Sequence, residues 1–236
     1  MSVFALLDPV VSLAFQAVEA LSHVLPTALS IVVFTVVVRA ALLPLSRAAA
    51  HGERHRARLA PEVAALQRRH RSDPARLQQT VADLYRREGV SPLAGCLPRL
   101  VQAPFFTVMY RLCTAPVIGA QANFLLDQTL LGVPLGAHLL AVHAGQLLVF
   151  GGVYLLIGVV AYLTYRHARR TATANAVPAE GLSALLGRVG PALSFGTVVV
   201  AAFLPLAGAL YLLASTAWTY GERRLLQPPH PASAPA

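Results

Sequence analysis

Apolar residues gather into five runs along this chain, about residues 27–45, 93–112, 145–165, 189–204 and 206–220, and what separates them differs sharply from gap to gap. Each run approaches or reaches the roughly 20 residues that a helix needs to cross a bilayer. Ahead of the first, Val10, Leu13, Ala14, Ala17, Val18 and Leu21 recur at helical spacing with Ser12, Gln16, Glu19 and His23 between them. That pattern predicts a short amphipathic helix lying in the outer interface over residues 1–26, closed by Pro26. The start has no basic leader and no small-residue cleavage site, so a cleaved signal peptide is not expected.

Between the first two runs the period stays helical while the chemistry changes. Residues 46–92 are polar, with Leu59, Val63 and Leu66 on one stripe and Leu77, Val81, Leu84 and Tyr85 on another. Ser72-Asp73-Pro74 breaks the stretch. The reading is a helical hairpin in water, roughly residues 48–71 and 75–88, with Gly89 capping its end. Arg58 with Glu62 and Asp83 with Arg87 stand four apart and could support the two helices. The segment 114–143 is mixed in polarity, holds no Lys or Arg and contains Asp127, His138 and His143, so it is expected outside the cell, and residues 227–236 read as a disordered tail.

Composition agrees with this pattern. Of the 236 residues 56% are hydrophobic and 12% charged, too apolar for an ordinary soluble domain. The fold class is therefore all-α and polytopic, a five-transmembrane-helix core over residues 27–226 with a cytoplasmic helical hairpin. The net charge of +9 rests entirely on arginine, and sixteen of the nineteen lie in 46–92, 166–188 and 221–236. With five spans and an external N-terminus, all three segments fall on the cytoplasmic side, as the positive-inside rule requires. The basic charge thus reports topology and does not call for DNA as a partner.

Candidate chemistry centres on Arg39, the one charge in the first run. It follows Thr35 by four residues, so both lie on one helix face. One reading has its side chain snorkel to the cytoplasmic interface, roughly 9 Å away. The other has it project into a hydrated cavity, because an arginine at mid-helix costs about 2.5–3.5 kcal/mol unless water or a partner receives it. No Asp or Glu falls within the five runs, so an acidic group brought by a ligand is a natural partner. Gln102 could add an amide, and Ser215, Thr216 and Trp218 polar atoms, although hydroxyls often bond their own helix and tryptophan often marks an interface.

Other chemistries find no support. The chain lacks a Gly-rich phosphate loop, a nucleophile elbow and the zinc-protease His motif, so no enzyme, metal or other cofactor is expected. His51, His55 and His70 read as surface positions of the hairpin. Cys96 and Cys113, about 25 Å apart along a helix, cannot pair with each other.

Thr35-Val-Val-Val-Arg39 followed by Leu43-Pro44-Leu45 resembles the first conserved span of the YidC/Oxa family of membrane protein insertases. The similarity continues through Leu59-Ala-Pro-Glu-Val-Ala-Ala-Leu66-Gln67, Asp73-Pro74, Leu84-Tyr85, Gly89-Val-Ser-Pro92-Leu-Ala-Gly95-Cys96-Leu-Pro98 and Gln102-Ala-Pro104-Phe105-Phe106. Leu204-Pro205-Leu206 before Tyr211 is similar to the family's tight connection between its last spans. The hairpin has neither Met nor Lys, in which relatives are often rich, and Arg99 stands where an aliphatic residue is usual.

The resemblance implies a groove open to cytoplasm and lipid, holding Arg39 and Thr35, with Gln102, Ser215 and Thr216 as further lining. Arg54, Arg58, Arg68, Arg69 and Arg71 would offer hairpin contacts. It implies a bacterial plasma (inner) membrane protein whose C-terminus is cytoplasmic, similar to the Gram-positive forms that have no large external domain. Its expected work is inserting newly made membrane proteins without nucleotide, with nascent chains, the ribosome, the general secretion translocon and the lipid bilayer as expected partners. An assembly scaffold or chaperone without insertion activity is the main alternative. A small-solute transporter fits less well, since it would want ionisable groups along a path.

Overall fold

The structure is a computed structural model and describes residues 3–70, 73–89, 97–118, 121–141, 143–174 and 190–226. Helix α1, Val3–Ser22, packs on α2, Thr27–Ala41, and on α5, Leu97–Thr114. It buries Val11, Ala14, Phe15 and Val18, while Val10 and Leu13 face outward. The buried stripe is thus rotated from the one the periodicity suggested. Apolar positions cover two faces of α1, and hydropathy alone does not say which of them meets protein.

Proline sets the next boundary. α2 stops at Ala41, and α3, Leu43–Arg69, starts two residues on, bent by 52° between α2 and residues 43–52. Pro44 has no N–H to give the Ala40 carbonyl, so the hydrogen-bond ladder loses a rung where the axis turns. The first apolar run and the hairpin are therefore nearly continuous, and α3 begins earlier than the sequence suggested. α4, Pro74–Arg87, starts on Asp73, whose carboxylate accepts from the Arg76 N–H at 3.0 Å, and ends before Gly89 at φ +64°. The two hairpin helices touch, but α4 buries none of its residues; its apolar stripe is half covered. Asp83 reaches Arg86, at 3.9 Å between two exposed side chains, where the spacing had pointed to Arg87.

After α5 come two small hairpins, Val117–Ile118 with Gln121–Ala122 (β1, β2) and Thr129–Leu130 with Val133–Pro134 (β3, β4). Leu131 and Gly132, both at positive φ, make the tight turn of the second. Asn123 ties this segment to α5: its amide donates to the carbonyls of Leu112 and Ala115, each at 2.8 Å, and its side-chain oxygen accepts from the Leu125 N–H. One buried side chain thereby satisfies carbonyls that the end of α5 leaves open.

α6, Leu147–Ala174, buries Phe150, Val153, Ile157 and Ala161 along one stripe and exposes Leu148, Leu155, Leu156 and Val159. Residues 190–195 form a 3₁₀ turn leading into α7, Gly196–Ala202, and Pro205 separates that from α8, Leu206–Leu226. The first N–H groups of α8 are met from the segment that follows α5: Leu206 N–H donates to Ala137 at 3.0 Å and Ala207 N–H to Leu135 at 2.9 Å. α8 is the central element, touching α2, α5, α6 and α7, with every residue from Leu206 to Leu212 buried. A side chain at Gly208 would come within 3.0 Å of Leu204 Cβ, so glycine keeps that turn close.

Among the described residues, α6 alone is long and apolar enough to cross a bilayer by itself. α2 with the start of α3 makes a second such stretch if the bent pair counts as one span. The 13 residues of 190–202 are apolar but shorter.

Candidate functional site

Arg39 lies in the last turn of α2 and is only 7% exposed. Its guanidinium donates to the hydroxyl of Ser215 on α8, itself buried. Tyr211 lies one turn earlier on α8, and Phe105 and Phe106 of α5 pack their rings about 6.1 and 6.3 Å from the Tyr211 ring. Helix spacing accounts for the set, because positions 211 and 215 share a face, as do 35 and 39. A hydrogen bond from a charged donor is worth about 1.5–3 kcal/mol, comparable to the cost of placing the arginine there.

Beside this contact is a cavity of about 250 Å³ lined from α2, α5, α6, the turn at 190–195, α7 and α8. Arg39 and Arg223 contribute charge, and Thr164, Ser194, Thr197, Tyr211, Ser215, Thr216 and Thr219 contribute hydroxyls. Phe106, Val160, Ala161 and Leu212 complete the wall. Several of the hydroxyls give their hydrogen to their own helix: Thr164 to Val160 at 2.8 Å, Thr216 to Leu212 at 2.6 Å and Thr219 to Ser215 at 2.8 Å. Their oxygens keep lone pairs to offer inward. The cavity is therefore rich in acceptors, with two guanidinium donors among them.

The sequence-derived candidates divide accordingly. Arg39, Ser215 and Thr216 come together here. Thr35 is fully buried, but its hydroxyl donates to Ile31 at 2.7 Å and it is not part of the lining. The side chain of Gln102 lies outside the described residues. On the hairpin, Arg54, Arg58, Arg68 and Arg69 are exposed along α3, and Arg71 lies outside the described residues. Trp218 buries its indole N–H without a hydrogen-bond partner among the described residues and does not line the cavity. Cys113 is a free, buried thiol on α5, and Cys96 lies outside the described residues.

Tyr211, Thr219 and Arg223 were missed although each is three or four residues from another lining residue of α8. Extending the face that holds Ser215 along that helix would have found them. Thr164, Ser194 and Thr197 had no comparable signal, since they come from different elements. Glu222 is near enough to Arg39 to act on it electrostatically and has a buried carboxylate oxygen without a hydrogen-bond partner among the described residues. It was passed over because the last apolar run was ended at residue 220. Among the described residues no three metal-ligating side chains gather.

A mostly helical, strongly apolar chain with a charge buried in its core belongs to the class of integral membrane proteins. The sequence profile of the 60Kd inner membrane protein family matches residues 20–231, and the chain belongs to that family, the YidC/Oxa family of membrane protein insertases. Among relatives, a membrane protein insertase YidC of Granulibacter bethesdensis is 38% identical over 111 residues, 47% of this chain and 19% of the relative. A YidC of Caulobacter vibrioides is 35% identical over 96 residues, 41% of this chain and 16% of its own. One of Azotobacter vinelandii is 38% identical over 96 residues, 41% and 17% of the two chains. The matched segments thus span less than a fifth of these relatives' length.

Proposed function

We propose that this chain inserts newly made membrane proteins into the bacterial inner membrane, using the cavity beside Arg39 as a hydrophilic groove and needing no nucleotide. The observation that carries the reading is the buried Arg39 guanidinium, held by Ser215 at the edge of a cavity walled with hydroxyls. A polar, acidic segment of a nascent chain enters from the cytoplasm, exchanges part of its water for these hydroxyls and is attracted by Arg39 and Arg223. The apolar distance left to cross becomes shorter. The adjoining hydrophobic segment then partitions into lipid, which supplies about 25 cal/mol for each Å² of apolar surface removed from water.

In this reading residues 27–45, 93–112, 145–165, 189–204 and 206–220 are five spans, with the N-terminus outside and the hairpin and C-terminus inside. The contacts made by Leu135 and Ala137 with the start of α8 support an outer side that is closed. Thr35 acts as packing behind Arg39, and Gln102 joins the groove from α5. Arg54, Arg58, Arg68, Arg69 and Arg71 meet nascent chains, the ribosome or anionic lipid, with the general secretion translocon as a further partner.

The test is reconstitution of the purified chain in liposomes with a short substrate whose translocated segment is acidic. The parent should insert it without nucleotide, and Arg39→Ala should lower the yield severalfold. Equal yields from liposomes with and without the chain would reject the function, and equal yields from parent and Arg39→Ala would reject the charge mechanism.

A further inference from the structure

His51 and His55 stand four residues apart on α3, about two and a half turns beyond the bend that follows α2, on the helix whose buried positions include Ala50 and Leu59. Their rings meet edge to face with centroids 4.7 Å apart, and the two Nε2 atoms face each other across 3.1 Å. The pair is at the surface, and the cavity beside Arg39 does not involve it.

Two neutral imidazoles can share one proton in this arrangement, one ring donating and the other accepting. The same gap also suits a metal ion. Zinc binds imidazole nitrogen at about 2.0–2.1 Å, so two nitrogens on one ion stand about 2.9 Å apart at a right angle and about 3.4 Å apart at the tetrahedral angle. The observed separation lies between these limits. A spacing of four residues is also the one that lets two histidines on a helix grip a single ion.

We propose that His51 and His55 form a two-ligand site for a divalent transition-metal ion of the kind imidazole favours, zinc, copper or nickel. The ion takes the place of the shared proton between the two Nε2 atoms, that proton passing through water to Nδ1 of the same ring so that both imidazoles stay neutral, and water or an incoming carboxylate fills the ion's remaining positions. Because both rings are already turned toward the gap, the second bond forms within the molecule, which strengthens binding by on the order of a hundredfold over one histidine. Arg47, Arg54 and Arg58, each within about a turn of the pair, oppose a cation, but all three are exposed, where the high dielectric of water weakens the repulsion.

Between the two ligands is Gly52, the residue type that weakens a helix most after proline. The bound ion bridges the turn containing it and stiffens the base of the hairpin where it leaves the bend.

The full chain in detergent is titrated with zinc by calorimetry, alongside His51→Ala, His55→Ala and, as a control away from α3, His143→Ala. The parent and the control should bind one ion per chain at this site, and each of the first two variants should bind at least about tenfold more weakly. Zinc should also slow amide hydrogen exchange around residues 51–56 in the parent and not in His51→Ala. Copper spin resonance should report two nitrogen donors in the parent and one in either variant. A loss below tenfold in either single variant, or one nitrogen donor in the parent, overturns the site. None of these readouts depends on insertion activity.

Discussion

The guanidinium of Arg39 donates to the hydroxyl of Ser215, 176 positions further along the chain, and through that bond the second helix is fixed to the last. Neither residue is exposed by as much as a tenth. The contact joins the stability of the core to the electrostatics of the cavity, and changes at its two ends should differ in effect.

Ser215→Ala removes the acceptor and leaves the buried charge to find another. A loss of about 1–3 kcal/mol is expected. Thermal unfolding in detergent should show it, while Ser215→Thr, which keeps a hydroxyl, should recover most of it. Insertion of the acidic substrate should fall less in Ser215→Ala than in Arg39→Ala, because the charge remains.

Glu222 acts on Arg39 from the end of α8 and so competes with an acidic segment for the same cation. Glu222→Gln keeps the size of the side chain and removes the competition. The rate of insertion of an acidic substrate should rise by about threefold, the equivalent of less than 1 kcal/mol of charge interaction across hydrated space. A neutral substrate should insert at the parent's rate, and the difference should shrink as salt is raised.

Asn123 is 3% exposed and satisfies two carbonyls at the end of α5 with one amide. Asn123→Leu preserves bulk and abandons both. Unfolding should become easier by about 1–3 kcal/mol, and amide exchange should quicken first in the segment that follows α5.

The first half of α1 and the end of α5 are joined by an ion pair between Asp8 and Arg111, whose side chains are 56% and 32% exposed. Asp8→Asn should therefore cost no more than about 1 kcal/mol. Phe15, buried on the same helix with its ring 5.3 Å from that of Phe124, is the real attachment. Phe15→Ala should cost about 3–5 kcal/mol, and a pair of melting curves would separate the two cases.

Arg39 was legible in the sequence because a charge inside an apolar run is costly wherever it occurs. The hairpin was legible because its helices keep a 3.6-residue period while their composition turns polar. Pro44, Pro74 and Gly89 marked boundaries for local reasons of φ and missing N–H groups. Only the tertiary structure decided that Ser215 receives Arg39, that Tyr211 and the hydroxyls of Thr164, Ser194 and Thr197 face the same cavity, and that Thr35 stands behind it. Hydropathy sorts residues by solvent preference, and in a chain whose helices meet lipid on one side and protein on the other both faces are apolar. Val10, Leu13 and Phe15 look alike by that measure, and packing distinguishes the buried one from the two that face outward. The sequence by itself determined which segments are helical and where a charge had to be accommodated; the packing of α8 against its neighbours decided what accommodates it.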